Sequence, residues 1–121
     1  MVWIQSTHGA FSINVADTAP GSGTPDSAVL MIRARRRLHL QNLSAAFPTL
    51  ADFSISETQG GDYRWRLVAP RSAVAEVAAS LVLSIEHKNF KAACSARVAD
   101  LGQDYIAALH KIWSTLAELQ D

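Results

Sequence analysis

Four arginines stand two residues apart, in pairs, in two β-prone segments of the chain. Arg33 and Arg35 occur in the first segment, and Arg64 and Arg66 occur in the second. Side chains two residues apart on a strand point to the same side, so we predict that each pair lies on one face of a sheet. Four guanidinium groups on an open face would bind phosphate or carboxylate groups. The same pattern is also typical of a solvated sheet face without any binding function.

Residue patterns that support catalysis or metal binding are absent from the sequence. The histidines are not paired at ligand spacing, and Cys94 has no second cysteine with which to bind zinc. The chain has no Gly-x-Ser-x-Gly nucleophile motif and no glycine-rich phosphate loop that leads into a helix. We therefore predict no catalytic residue, no metal and no cofactor, although groups distant in sequence could still form an active site.

The aromatic residues near the arginines bear on the kind of anion that would bind. Tyr63 and Trp65 alternate with Arg64 and Arg66, which predicts both rings on the opposite, core-facing side of the strand. Stacking of nucleic-acid bases needs exposed rings, so this placement weakens the prediction of nucleic-acid binding. Trp3 is the exception, because it lies in a separate β-prone segment.

The composition indicates one folded domain without excess charge. The 121 residues include eleven basic and eleven acidic residues, and 49% are hydrophobic, which is typical of a single globular domain. Residues 31–71 contain seven arginines but only Asp52, Glu57 and Asp62 as acidic residues, so the middle of the chain is locally basic. Since the sequence lacks a long apolar run, a signal-peptide pattern and a second cysteine, we expect a cytoplasmic protein without membrane contact.

The hydrophobic pattern predicts the elements that would position the arginines. Period-two alternation predicts strands at 2–7, 11–15, 29–35, 53–56 and 63–67. Helical periodicity predicts helices over 36–47, 72–85 and 89–99 and a last helix after Gly102. Pro and Gly residues without periodic apolar positions predict a flexible loop at 16–27.

These elements predict an α+β fold of one domain, residues 1–121, with an all-helical carboxyl-terminal third. The order is β-β-β-α-β-β-α-α-α, and an antiparallel sheet covered on one face by helices is the simplest packing. Its β-α-β-β-α portion suggests a ferredoxin-like core. In the helix of 72–85 we expect one buried stripe, formed by Val74, Val77, Ala78, Leu81 and Ile85. In the last helix the expected stripe is Ile106, Leu109, Trp113 and Leu116.

Four short motifs follow one another along nearly the whole chain. They correspond to a Gly-Phe-Ser hairpin, an Arg-x-Arg strand, an Asp-Tyr-x-x-Arg strand and an Asn-Phe-Lys helix start. In this order the motifs resemble those of a group of small uncharacterised bacterial and phage proteins. The residues that match are Arg33, Arg35, Tyr63, Arg66, Asn89, Phe90 and Lys91. Ala10 departs from the bulky residue that the group has in its hairpin. The resemblance implies that the matching positions should be tested first, and it assigns a role to none of them.

The function that these observations favour is a non-enzymatic binding module that engages an acidic partner, either nucleic-acid backbone or protein. Its binding residues would be Arg33, Arg35, Arg64 and Arg66. One alternative is a phage-encoded inhibitor that occupies the nucleic-acid site of a bacterial defence complex. Another is a small enzyme with dispersed catalytic groups. The sequence leaves open whether the protein is a monomer or a homodimer.

Overall fold

The computed structural model describes residues 1–121 as a five-stranded antiparallel sheet with five α-helices. The strands are β1 (Val2–Ser6), β2 (Gly9–Asp17), β3 (Pro25–Ala34), β4 (Ile55–Glu57) and β5 (Trp65–Pro70). The helices are α1 (Arg37–Ala46), α2 (Arg71–Leu83), α3 (Phe90–Ser95), α4 (Val98–Leu101) and α5 (Gln103–Ala117), and a short 3₁₀ helix (Pro48–Leu50) follows α1. The predicted α+β class is confirmed. None of the helices has both the length and the apolar character needed to cross a membrane.

The strand order in the sheet is β1-β2-β3-β5-β4, and every neighbouring pair is antiparallel. It follows that β3 and β4 run in the same direction with β5 between them, while α1 connects them. This is a split β-α-β arrangement. A ferredoxin-like fold would place a further strand after α2, whereas here only helices follow α2. The ferredoxin-like core is therefore not confirmed.

The hairpin between β2 and β3 is longer than its apolar pattern predicts. Asp17 pairs with Pro25, so that only residues 18–24 of the predicted loop at 16–27 lie outside the strands. The Thr18 N–H donates to the Thr24 carbonyl oxygen over 2.9 Å, and Asp17 Oδ2 accepts from the Gly23 N–H. These polar contacts extend the strands beyond the residues that alternate in hydrophobicity.

The main apolar core lies between one face of the sheet and helices α1 and α2. It consists of Phe11, Ile32, Ala34, Leu40, Leu43, Leu50, Leu67, Ala69, Val74 and Val77. The predicted stripe of α2 is thus buried at Val74 and Val77. Ile85 does not belong to it, because α2 ends at Leu83 and Ile85 is 58% exposed. This corrects the prediction for Ile85.

A second, smaller core joins the last three helices to the turn between β1 and β2. It consists of Cys94, Leu101, Tyr105, Ile106 and Leu109, and Ala10 of β2 packs against it. The predicted stripe of α5 is therefore buried only in its first half, and Trp113 and Leu116 are exposed.

The helix predicted over 89–99 is divided into α3 and α4. Asn89 caps α3 as its Oδ1 accepts from the Ala92 N–H over 3.0 Å. The division falls at Arg97, whose guanidinium donates to the Thr7 carbonyl oxygen over 2.7 Å. The interaction with a distant turn is tertiary, so helical periodicity alone does not predict the break.

Candidate functional site

The arginines of β3 and β5 lie on the sheet face that α1 and α2 do not cover. Ile32 and Ala34 of β3 and Leu67 of β5 are buried in the main core. Because successive side chains on a strand alternate between faces, Arg33 and Arg66 point to the opposite side. The register places Arg33 directly across from Arg66. The structure thus brings together one arginine from each predicted pair.

The register extends this pair into a row across the whole sheet. Ser12 pairs with Arg33, Trp3 pairs with Ser12, and Ser56 pairs with Arg66. Paired residues of antiparallel strands project from the same face. We call Trp3, Ser12, Arg33, Arg66 and Ser56 the arginine row. With about 4.8 Å between neighbouring strands, the row spans roughly 19 Å.

Ser12 holds the guanidinium of Arg33 against the sheet. Nη2 and Nε of Arg33 donate to Ser12 Oγ over 2.9 Å and 3.3 Å. The Ser12 side chain is fully buried, and Arg33 is half-buried. Two hydrogen bonds to one fixed oxygen restrict the rotamers of Arg33, so the position of its charge is fixed.

Arg66 has fewer polar contacts than its neighbour. Its Nη1 lies 3.7 Å from Met31 Sδ, and its Nε is buried without a hydrogen-bond partner. The ion pairs of the protein are Arg36–Asp104, Arg64–Glu57 and Arg97–Asp100. Neither Arg33 nor Arg66 therefore has a carboxylate within ion-pair distance, so no acidic side chain compensates the two charges of this cross-strand pair.

Tyr63 lies on the same side as the arginines, which corrects the predicted core-facing position. The Cζ atoms of Arg33 and Arg35 lie 4.5 Å and 4.2 Å from the centroid of the Tyr63 ring. Such cation–π contacts favour the charged guanidinium beside the ring. Tyr63 precedes the first residue of β5, Trp65, so the alternation of the strand does not determine its side. The ring holds two arginines in place and is not free to stack with a base.

Arg64 is directed away from the other three arginines. Its Nη2 lies 2.6 Å from Glu57 Oε1, and its Cζ lies 5.7 Å from the ring of Trp65. Trp65 packs against the main core on the helix-covered side of the sheet. The prediction that Arg64 shares a face with Arg66 is thus corrected, since Arg64 forms an ion pair at the edge strand β4.

Trp3 provides an exposed aromatic surface at the β1 end of the row. Its side chain is 68% exposed, and the two interstrand spacings to Arg33 amount to about 10 Å. The row therefore combines a free ring with two uncompensated guanidiniums. Comparison of the chain with protein-family models, curated proteins and solved structures finds no match. The chemistry of the row is the basis for the functional proposal below.

A separate group of titratable side chains lies at the turn between β1 and β2. His39 Nδ1 accepts from the Ala10 N–H over 3.3 Å, and its ring lies 4.7 Å from the ring of Tyr105. Burial lowers the pKa of His39, an effect that the Leu101 backbone opposes and the Arg36 charge reinforces. The neutral ring thus serves as packing between the two cores.

The remaining groups at this turn also hold the second core in place. The Tyr105 hydroxyl donates to the Ser6 carbonyl oxygen over 3.1 Å, and burial raises the pKa of Tyr105. Burial also raises the pKa of the Cys94 thiol. Burial and the nearby Arg97 charge lower the pKa of His8. No three His, Cys, Asp or Glu side chains converge as metal ligands. The contacts of His39 and Tyr105 join the β1–β2 turn to the helices, so we assign this group a structural role.

Proposed function

We propose that the protein is a non-enzymatic module that binds single-stranded nucleic acid across the arginine row. The observation that carries the proposal is the direct pairing of Arg33 with Arg66 without a carboxylate at either guanidinium. Like charges directly opposite each other on a sheet repel, and a phosphate between them removes the repulsion. Guanidinium groups also match the geometry of phosphate oxygens in bidentate hydrogen bonds.

The exposed ring of Trp3 supports a single strand over a duplex. A base can stack on this ring only when it is unpaired and accessible, as in single-stranded nucleic acid. The distance of about 10 Å between Trp3 and Arg33 lets one strand place a base on the ring and a phosphate at the arginines. The row has no side chains arranged to read base edges, so we expect little dependence on sequence.

A second candidate function is the binding of an acidic protein. It is favoured by the cross-strand pair of Met31 and Val68, which places apolar side chains next to the arginines on the same face. Apolar surface beside Arg is typical of the central part of protein interfaces. Such a partner would not need the ring of Trp3 for stacking, and this difference distinguishes the two functions.

The proposal is tested by fluorescence anisotropy with labelled mixed-sequence single-stranded DNA, single-stranded RNA and duplex DNA. We expect wild type to prefer the single strands and to lose affinity steeply as salt increases. Arg33→Ala and Arg66→Ala should each weaken binding about tenfold, and Trp3→Ala should weaken single-strand binding about 5- to 100-fold. Duplex binding should change little in Trp3→Ala.

The matched control is Arg64→Ala, which removes the same charge two positions from Arg66. Arg64 is paired with Glu57 and points away from the arginine row. The affinity of the variant for single-stranded nucleic acid should therefore stay within about twofold of the wild-type value. Equal losses in Arg64→Ala and Arg66→Ala would mean that net charge alone attracts the strand. That result, or no binding by wild type at low salt, would overturn the proposal.

A further inference from the structure

Exposed apolar side chains are concentrated around one edge of the sheet. Strand β1 forms this edge, because it pairs only with β2. Large apolar residues exposed on β1 or in the grooves beside it are Val2, Trp3, Val82, Ile85, Trp113 and Leu116. Exposed apolar side chains on both sides of an edge strand are typical of an interaction site.

Two grooves flank β1, one on each side of the sheet. A cavity of about 230 Å³ lies between β1 and the end of α2, and its apolar lining includes Ile4, Val82 and Ile85. A second cavity, of about 360 Å³, lies between Gln5 and the exposed half of α5. Gln5 and Phe90 line both cavities. The two grooves therefore meet at the edge strand.

Strand β1 lacks the features by which proteins usually protect an edge strand from pairing. Residues 1–16 contain no Asp, Glu, Lys, Arg or Pro. The pairing of β1 with β2 runs from Val2 to Ser6 without a bulge. Natural edge strands carry charges, prolines or bulges, or they are covered by another element. At the other edge of the same sheet, β4 has only three residues and ends at the charged Glu57.

We propose that a second copy of the chain covers this edge, with the β1 strands of the two copies paired antiparallel. A two-fold axis near Trp3 would join the sheets into one of ten strands. A residue near a two-fold axis lies beside the same residue of the other copy. A charged side chain there would therefore be repelled by an identical charge. The absence of charged side chains in residues 1–16 removes this obstacle for the side chains of β1.

The side chains of β1 that point to the helix-covered face would also fit the groove beside β1 of the other copy. Pairing centred at Trp3 places Val2 of one copy opposite Ile4 of the other, and paired side chains share a face. Val2 would then enter the cavity lined by Ile4, Val82 and Ile85. A cavity beside one copy is in this way filled by an exposed apolar residue of the other.

The exposed apolar side chains around β1 would form the central part of the dimer interface. A standard interface buries about 800 Å² on each partner. Trp113 is 59% exposed, and since an aromatic side chain buries about 150–250 Å², it would contribute about 90–150 Å². Val2, Val82, Ile85, Leu116 and the backbone of β1 would add further area, while the ring of Trp3 would stay on the face of the arginine row.

Sedimentation equilibrium of the full chain tests the dimer over a range from micromolar to millimolar concentration. We expect wild type to reach twice the chain mass of 13.1 kDa. Val2→Lys and Ile85→Lys should raise the dimer dissociation constant at least about tenfold, because each copy would place a charge in an apolar contact. The control is Leu38→Lys, which changes an exposed apolar residue of α1 and should leave the dimer intact.

Circular dichroism verifies that each variant folds, and hydrogen exchange of the wild type provides a test without any substitution. Backbone amides of β1 should become more protected as the concentration increases. A wild type that stays at the monomer mass throughout, or a dimer that weakens as much in Leu38→Lys as in Val2→Lys, would overturn the proposal. These substitutions leave the arginine row unchanged, so the result does not depend on nucleic-acid binding.

Discussion

Arg33 on β3 and Arg66 on β5 are direct cross-strand neighbours, and neither guanidinium has a carboxylate partner. Most positions of a sheet face avoid such a pair, because like charges directly opposite each other are destabilising. Here Arg66 also carries a buried Nε without a hydrogen bond. A pair of this kind is expected where binding has been favoured over stability.

Replacing Arg66 by methionine should stabilise the free protein and weaken its binding of anions. Methionine keeps a flexible apolar stem in place of the aliphatic part of arginine while it removes both the repulsion and the unpaired Nε. We expect the free energy of unfolding to increase by about 0.5–1 kcal/mol, measured by urea denaturation. Arg64→Met, which removes an exposed ion pair, should change it by less than about 0.5 kcal/mol. A clear loss of stability in Arg66→Met would contradict the interpretation of this pair.

Gly9→Ala should be strongly destabilising for two separate reasons. Gly9 has a φ of +143°, and a Cβ at this position would lie 2.4 Å from Cγ of His39. Backbone strain and displacement of the buried ring together should lower the free energy of unfolding by about 3 kcal/mol. Gly60→Ala is the matched control, because Gly60 also has a positive φ but nothing within 4 Å of an added Cβ. Gly60→Ala should lower the free energy of unfolding by only about 1 kcal/mol. Equal losses of thermal stability would show that the contact with His39 has no effect.

Acidification should destabilise the protein through His39 and His8. Burial lowers the pKa of both rings in the folded state, so the unfolded chain binds protons first. Their contribution to stability is complete above the unfolded pKa of about 6.5 and is lost as the pH falls through the lower folded values. Urea denaturation at pH 7.5, 6.5 and 5.5 measures how steeply the free energy of unfolding falls with pH. His39→Gln should make this fall less steep, and the exposed His110→Gln is the control. An unchanged pH dependence in His39→Gln would refute the assignment.

Cys94 should react with thiol reagents only when the second core opens. Its side chain is fully buried, and burial raises the pKa of the thiol, so little thiolate is available. We expect a coloured disulfide reagent to modify the native protein at least ~100-fold more slowly than the unfolded chain, equivalent to about 2.7 kcal/mol of opening free energy. Ser95→Cys, at an exposed neighbouring position, should react rapidly in the native state. Equally fast modification of Cys94 would show that the second core is not closed.

The strands and the main core follow from local patterns in the sequence. Period-two alternation places Arg33 and Arg66 on the face opposite Ile32 and Leu67, and helical periodicity identifies Val74 as buried. Such patterns report burial on one side of an element, so they succeed where a regular element packs against a core along its length.

Most positions that the sequence does not predict lie where an element ends, and the exceptions are Trp113 and Leu116, which lie within α5 beyond the half that packs against the second core. Tyr63 and Arg64 precede β5, and Ile85 follows the last residue of α2. At these positions the direction of a side chain depends on tertiary partners, such as Glu57 for Arg64. The break at Arg97 has the same cause, since its partner Thr7 is 90 residues away in sequence. Alternation carries no information about such partners.

The arginine row runs perpendicular to the strands, so each of its five members comes from a different strand. Neighbours in the row are separated along the chain by as few as nine residues and by as many as 33. No continuous peptide from this protein can reproduce the surface, and a partly folded or truncated chain would present only disconnected charges. If the row binds a ligand as proposed, only chains with a completely formed sheet would bind it, and binding would then serve as an assay of correct folding.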